Sequence, residues 1–121
     1  ILMAMYQNAY EKSINQVKRG EGIVIYDDKF VSPEKVEGLN YLCVPATRTS
    51  VEELKSSAVA NVIMLSAVVK ITDVVTQNAV RSAIEKIVSE RFRKLDLTAV
   101  DIGTRLGELA LGQLEQCKQE R

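Results

Sequence analysis

Histidine and tryptophan are absent from this chain of 121 residues. Without histidine there is no imidazole for general acid–base work, no Ser-His-Asp triad, and none of the commonest zinc sites. Cysteine is scarce: Cys43 and Cys117 are the two present, far apart and outside any C-x-x-C. That excludes iron–sulfur or zinc ligation by this chain alone. With no signal-peptide pattern, the pair reads as two free thiols in a reducing compartment, so we expect a cytoplasmic protein. A surplus of either charge is also missing, since Lys+Arg and Asp+Glu each number 16. Phosphate neutralisation needs a cationic surplus, so nucleic acid is not an expected partner. Long apolar runs are missing too. The longest, Ala58 to Val69, carries Asn61 and Ser66 and falls short of a bilayer span, so no membrane partner is expected.

What remains is ordinary for a folded protein: 46% hydrophobic and 26% charged residues. The length suits one domain over 1–121. Three short apolar runs, Ile1–Met5, Gly22–Tyr26 and Tyr41–Val44, are continuous rather than alternating. Such runs suit strands buried on both faces of a parallel or mixed sheet. Between the first two, Tyr10, Ile14 and Val17 recur on one helical face, and Lys18, Arg19 and Gly20 form a stop. A right-handed βαβ unit follows. Asp27–Leu39 reads as a loop and leaves the direction of the third strand open. A strand at the very first residue leads us to expect further chain upstream, so that 1–121 is the C-terminal part of a larger domain.

Helices dominate after Pro45. Ser50-Val51-Glu52-Glu53 fits a capping box. Ala58–Thr72 is apolar on nearly every face and predicts a buried helix. Thr76 caps a further helix with a stripe of Ala79, Val80, Ala83, Ile84, Ile87 and Val88, and Asp96 or Thr98 starts the last one. Gly103 and Gly107 in that helix each cost roughly 1 kcal/mol of propensity against alanine, which makes sense where another element packs closely. The expected fold is part of a three-layer α/β/α domain, with a short sheet followed by a helical C-terminal half.

Few residues look chemical. Gly20-Glu21-Gly22 precedes a strand, whereas a dinucleotide loop follows one, so a turn is expected. Asp27 and Asp28 read as a solvated turn, because adjacent strand side chains diverge. Thr47, Arg48, Thr49 and Ser50 join a strand end to a helix start, where free amides and the dipole favour an anion. Arg48, Thr49 and Ser50 are therefore the candidate anion-binding residues. The competing reading makes Arg48 surface charge and Ser50 a cap for its own helix. Asn61 is expected to be buried and hydrogen-bonded. Cys43 reads as a core residue, and Cys117 as exposed with no base to activate it. Tyr6, Tyr10, Tyr26 and Tyr41 are dispersed along the chain and suggest no stacking platform.

The run from Ile1 to Lys12, ILMAMYQNAYEK, resembles a strand–helix junction of the gamma subunit of 2-oxoacid:ferredoxin oxidoreductases. Gly22-Ile23-Val24-Ile25-Tyr26-Asp27 and Val44-Pro45-Ala46-Thr47 are similar to that family's next two strands. Val59–Ala67, VANVIMLSA, resembles its V-A-N-M-V-M-L-G-A helix, and Leu95-Asp96-Leu97-Thr98-Ala99 its L-N-L-K-A. The blocks come in the family's order and resemble 2-oxoglutarate-type members more than pyruvate-type ones. Departures exist. The family's G-x-G-G-Q-G loop and E-A-R-G-G stretch would lie before Ile1, Lys55-Ser56-Ser57 replaces L-G-N, and Ser66 stands in place of a common glycine.

The resemblance implies a non-catalytic part of a holoenzyme that oxidatively decarboxylates a 2-oxoacid, acylates coenzyme A and reduces ferredoxin. Thiamine diphosphate with Mg²⁺, and iron–sulfur clusters, would be carried by catalytic partner subunits. Two other readings stand beside it: a small α/β anion- or nucleotide-binding module, and a self-associating structural module. The isolated chain is expected to form a homo-oligomer.

Overall fold

The computed structural model describes the backbone of residues 1–119 and the side chains of residues 1–114. Strands β1 (Leu2–Ala4), β2 (Ile23–Tyr26) and β3 (Asn40–Cys43) form a sheet in the order β1-β2-β3. Both pairings are parallel, with Leu2 opposite Val24 and Tyr26 opposite Cys43. The third strand thus takes the direction that sequence left open. Val24 and Ile25 are both fully buried, as a strand covered on two faces requires.

Helix α1 (Gln7–Ser13) and a single 3-10 turn (Ile14–Gln16) occupy the segment read as one helix to Lys18. The helix tightens and stops early because Val17 turns extended. Tyr10, Ile14, Val24, Val31 and Tyr41 pack together on this side of the sheet. The opposite face, through Ile25, Leu42 and Val44, meets Ile63, Met64, Ala99 and Leu106 of the C-terminal helices. Three layers result, as expected.

Those helices are α2 (Ala46–Leu54), α3 (Ala60–Thr72), α4 (Gln77–Ile87) and α5 (Glu90–Gln119). Thr76 caps α4 as expected, its side chain accepting from the Ala79 N–H at 3.0 Å. Two other helix starts differ from expectation. α5 begins at Glu90, not at Asp96 or Thr98, because the Ser89 carbonyl accepts from Phe92 and Arg93 and opens the helix there. α2 begins at Ala46, so Ser50 lies inside it and caps nothing. The fully buried Ser50 hydroxyl instead donates to the Ser56 carbonyl and ties down the turn after α2, where Lys55 is left-handed (φ 58°).

The most extensive helix–helix contact is α3 on α5. Gly103 lies against Ile63 and Ser66, and Gly107 against Ala67 and Lys70, so the two helices run parallel at close range. Both glycines therefore have the close neighbour that their position predicted. Burial of α3 is incomplete. Asn61 is exposed rather than buried, and Leu65 is 45% exposed, leaving one strip of the helix open. Cys117 lies on α5 with its side chain outside the described residues.

Ser66 is fully buried and its hydroxyl has no hydrogen-bond partner. An unpaired buried hydroxyl costs roughly 1–3 kcal/mol, and alanine is the better helix former. Ser66→Ala should therefore stabilise the chain by about 1 kcal/mol, seen as a rise of about 4 °C in Tm. A fall in Tm would mean that the hydroxyl has a partner after all.

Candidate functional site

In open parallel α/β sheets ligands collect at the carboxyl ends of the strands. Here Tyr6 follows β1, Asp27–Phe30 follow β2, and Val44-Pro45 lead from β3 into α2. A shallow groove of about 420 Å³ opens between them, lined by Asp28, Lys29, Thr47, Arg48, Val51 and Glu52. A second groove, of about 480 Å³, lies at the opposite strand ends beside Ile1 and Val17. The first is the better candidate, because it holds the facing charges and the helix start.

Asp27 organises that end of the sheet. It is fully buried, not part of a solvated turn. Its Oδ2 accepts from the Thr47 N–H at 3.1 Å and from the Thr47 hydroxyl at 2.5 Å, while Oδ1 accepts from the Lys29 N–H at 3.2 Å. The first amides of a helix need an acceptor, and a carboxylate there also meets the positive end of the dipole. Asp27 thus caps α2 from across the sheet, where Pro45 offers no side-chain cap. The anion at this helix start is supplied by the protein's own fold.

The three candidate anion ligands are placed differently. Arg48 reaches the groove and pairs with Asp28 at 2.8 Å, with 55% of its side chain exposed. Thr49 and Ser50 are buried within α2. Sequence reasoning missed Asp27 as the cap, and Lys29, Val51 and Glu52 as groove lining. No local signal marks Asp27, because only the parallel pairing of β2 and β3 sets it beside the start of α2.

Cys43 ends β3 half-buried, beside Tyr26 and Asp28. Burial pushes the thiol pKa up, and the Asp28 charge adds to this. Burial also raises Tyr26, with the Cys43 thiol contributing. A thiol shifted in that direction holds less thiolate and is a poorer nucleophile. On the same face of the sheet, the Tyr10 and Tyr41 hydroxyls meet at 2.9 Å. Tyr10 donates to the Glu34 carbonyl, and the Tyr41 oxygen accepts from the Val36 N–H. Burial is the main cause of a strongly raised Tyr10 pKa. Three tyrosines dispersed in sequence thus converge, since Tyr26 also packs edge-on to Tyr41. Their work is to hold the 27–39 loop.

Neither carboxylate at the strand ends fits a magnesium–diphosphate group. Asp27 is filled by three internal donors and Asp28 by Arg48. Among the described residues, no group of three or more His, Cys, Asp or Glu could hold a metal ion. No helix among them is long and apolar enough to cross a membrane.

The fold is a parallel α/β domain whose sheet-end polar groups are engaged with one another, and comparison with known proteins identifies its kind. The family model for pyruvate ferredoxin/flavodoxin oxidoreductase matches residues 1–106, and the chain belongs to that family. It is similar to the 2-oxoglutarate synthase subunit KorC of Methanocaldococcus jannaschii, with 32% identity over 105 residues, covering 85% of this chain and 56% of the relative. KorC of Methanothermobacter thermautotrophicus is 30% identical over 111 residues, covering 88% and 59%. The chain therefore spans little more than half the length of these relatives.

Among solved structures, the gamma subunit of a keto/oxoacid ferredoxin oxidoreductase from Geobacter sulfurreducens superposes with a TM-score of 0.83 at 27% identity. That match covers 90% of this chain and 64% of the other. The 2-oxoglutarate:ferredoxin oxidoreductase of Magnetococcus marinus shares the fold, with a TM-score of 0.76 at 24% identity over 88% of this chain and 19% of that one. The resemblance read from the V-A-N helix and its neighbouring blocks is to this same family.

Proposed function

We propose that the chain forms part of the gamma subunit of a 2-oxoacid:ferredoxin oxidoreductase, of the 2-oxoglutarate type, and serves there as a non-catalytic packing element. The likeness to the Geobacter gamma subunit across nine-tenths of the chain carries this reading. The KorC relatives favour 2-oxoglutarate over pyruvate. In the proposed assembly thiamine diphosphate with Mg²⁺, and the iron–sulfur clusters, belong to catalytic partner subunits, which also receive coenzyme A and pass electrons to ferredoxin. This chain's own groups agree with that division. Its strand-end carboxylates are engaged, and its Cys43 thiol is pushed away from the thiolate.

Co-expression with the catalytic subunits tests the proposal. The purified chain alone should give no 2-oxoglutarate-dependent reduction of an electron acceptor, even with thiamine diphosphate and coenzyme A. The co-purified assembly should turn over. Activity in rigorously pure chain, or catalytic subunits that never retain the chain, would overturn the reading.

A further inference from the structure

The apolar stripe of α4 is wider than the face its neighbours cover. Val80 and Ile84 are buried, and Val88 packs with Val69, Val100 and Leu97. Ile87, in the same stripe, is 82% exposed, and five residues on, at the start of α5, Phe92 is 50% exposed. Three exposed cations share this corner: Lys86, Arg91 and Lys94. Arg91 sits over the Phe92 ring with its guanidinium carbon 5.3 Å from the centroid. Among the described residues, the ion pairs use Arg48, Lys70, Arg81 and Arg105, and none of these three. Glu85 and Glu90 are the carboxylates of this segment, so with Arg93 its charge is positive although the whole chain is neutral.

The corner is also held in shape. The Val88 N–H donates to the Ile84 carbonyl at 2.9 Å, and the Phe92 and Arg93 N–H groups donate to the Ser89 carbonyl. Arg93 adds a bond from its guanidinium to the Val88 carbonyl at 3.3 Å. A fixed knob loses little conformational freedom on binding. An aromatic ring beside an arginine is the combination on which interface energy concentrates.

We propose that this α4–α5 corner docks another protein subunit of the oxidoreductase assembly, one offering an apolar recess rimmed by aspartate and glutamate. The inference rests on the gamma-subunit reading above. Charge complementarity selects the occupant: three exposed cations outside the ion pairs, on the same segment as Ile87 and Phe92, call for carboxylates around a hollow, and such an interface weakens as salt rises.

The test uses the chain co-expressed with its catalytic subunits, comparing wild type, Arg91→Glu, Phe92→Ala and Ile87→Ser with Leu109→Ala. Leu109, at 58%, falls between Phe92 and Ile87 in exposure but lies elsewhere on α5. The corner variants should keep the wild-type Tm when isolated, since their side chains are largely in solvent. They should associate at least about tenfold more weakly, as expected when an interface anchor is lost. Leu109→Ala should associate normally. Full association by Arg91→Glu and Phe92→Ala, while the wild-type assembly forms, would overturn the docking proposal and leave the gamma-subunit reading standing. A wild-type chain that joins no assembly would remove both. Corner-dependent binding to vesicles containing phosphatidylserine, with association of the subunits unaffected, would make the corner a lipid contact and also overturn the proposal.

Discussion

Asp27→Ala should be among the most damaging single changes at the end of the sheet, costing about 3–5 kcal/mol. Three donors converge on its carboxylate, and two of them belong to Thr47, itself buried. Removing the acceptor leaves the Thr47 amide and hydroxyl inside the protein without partners. Each such orphan costs roughly 1–3 kcal/mol, more when the lost acceptor was charged. The start of α2 also loses the negative charge at its positive end, roughly 0.3–1 kcal/mol more. At about 4 °C per kcal/mol the Tm should fall by some 10–20 °C.

The next residue provides the contrast. Asp28 pairs with Arg48 in solvent, so Asp28→Ala should cost under about 1 kcal/mol. Urea melts of the two variants decide the matter. If they are equally stable, the buried carboxylate does not hold α2 in place.

These neighbours also show what sequence could and could not reveal. The runs around Val24 and Leu42 are legible as strands because hydrophobicity is a local property. Thr76 is legible as a cap because its acceptor and donor lie three residues apart. Asp27 is not legible as a cap, since its partner Thr47 is 20 residues away and meets it only after β2 and β3 pair. The same blindness assigned a cap to Ser50. S-x-x-E is a local pattern, and Asp27 had already started the helix one turn earlier.

Asn61 departs from its expected burial for a related reason. Apolar neighbours in sequence do not show which strip of a helix its partners leave open. The candidate anion residues divide along the same line: Arg48 is long enough to reach solvent from the first turn of α2, while Thr49 and Ser50 turn into the protein. Family kinship was the most legible feature of all, because it rests on ordered blocks rather than on contacts.

The glycines of α5 should form a graded series whose sign changes along the helix. A Cβ built on Gly103 would stand 2.2 Å from the Ile63 carbonyl oxygen and 2.7 Å from the Ser66 Cβ. The first obstacle is backbone, so no rotamer change relieves it, and α3 must move away from α5. Separating two close-packed helices forfeits dispersion contacts along both and opens space beneath them. Against that, alanine gains about 1 kcal/mol of helix propensity over glycine. The strain wins, and Gly103→Ala should destabilise by about 2–4 kcal/mol net.

At Gly107 the same atom would meet the Ala67 oxygen and the Lys70 Cβ, both at 2.9 Å, a milder conflict with a smaller loss. At Gly112, which is exposed, nothing lies within 4 Å, so Gly112→Ala should keep the propensity gain and stabilise by about 0.5–1 kcal/mol. Denaturant midpoints for the three variants, measured on one preparation of the chain, should therefore run from well below wild type at Gly103 to above it at Gly112. A stabilising Gly103→Ala would mean that α3 and α5 do not approach as closely as described, and that Gly103 is merely tolerated in the helix.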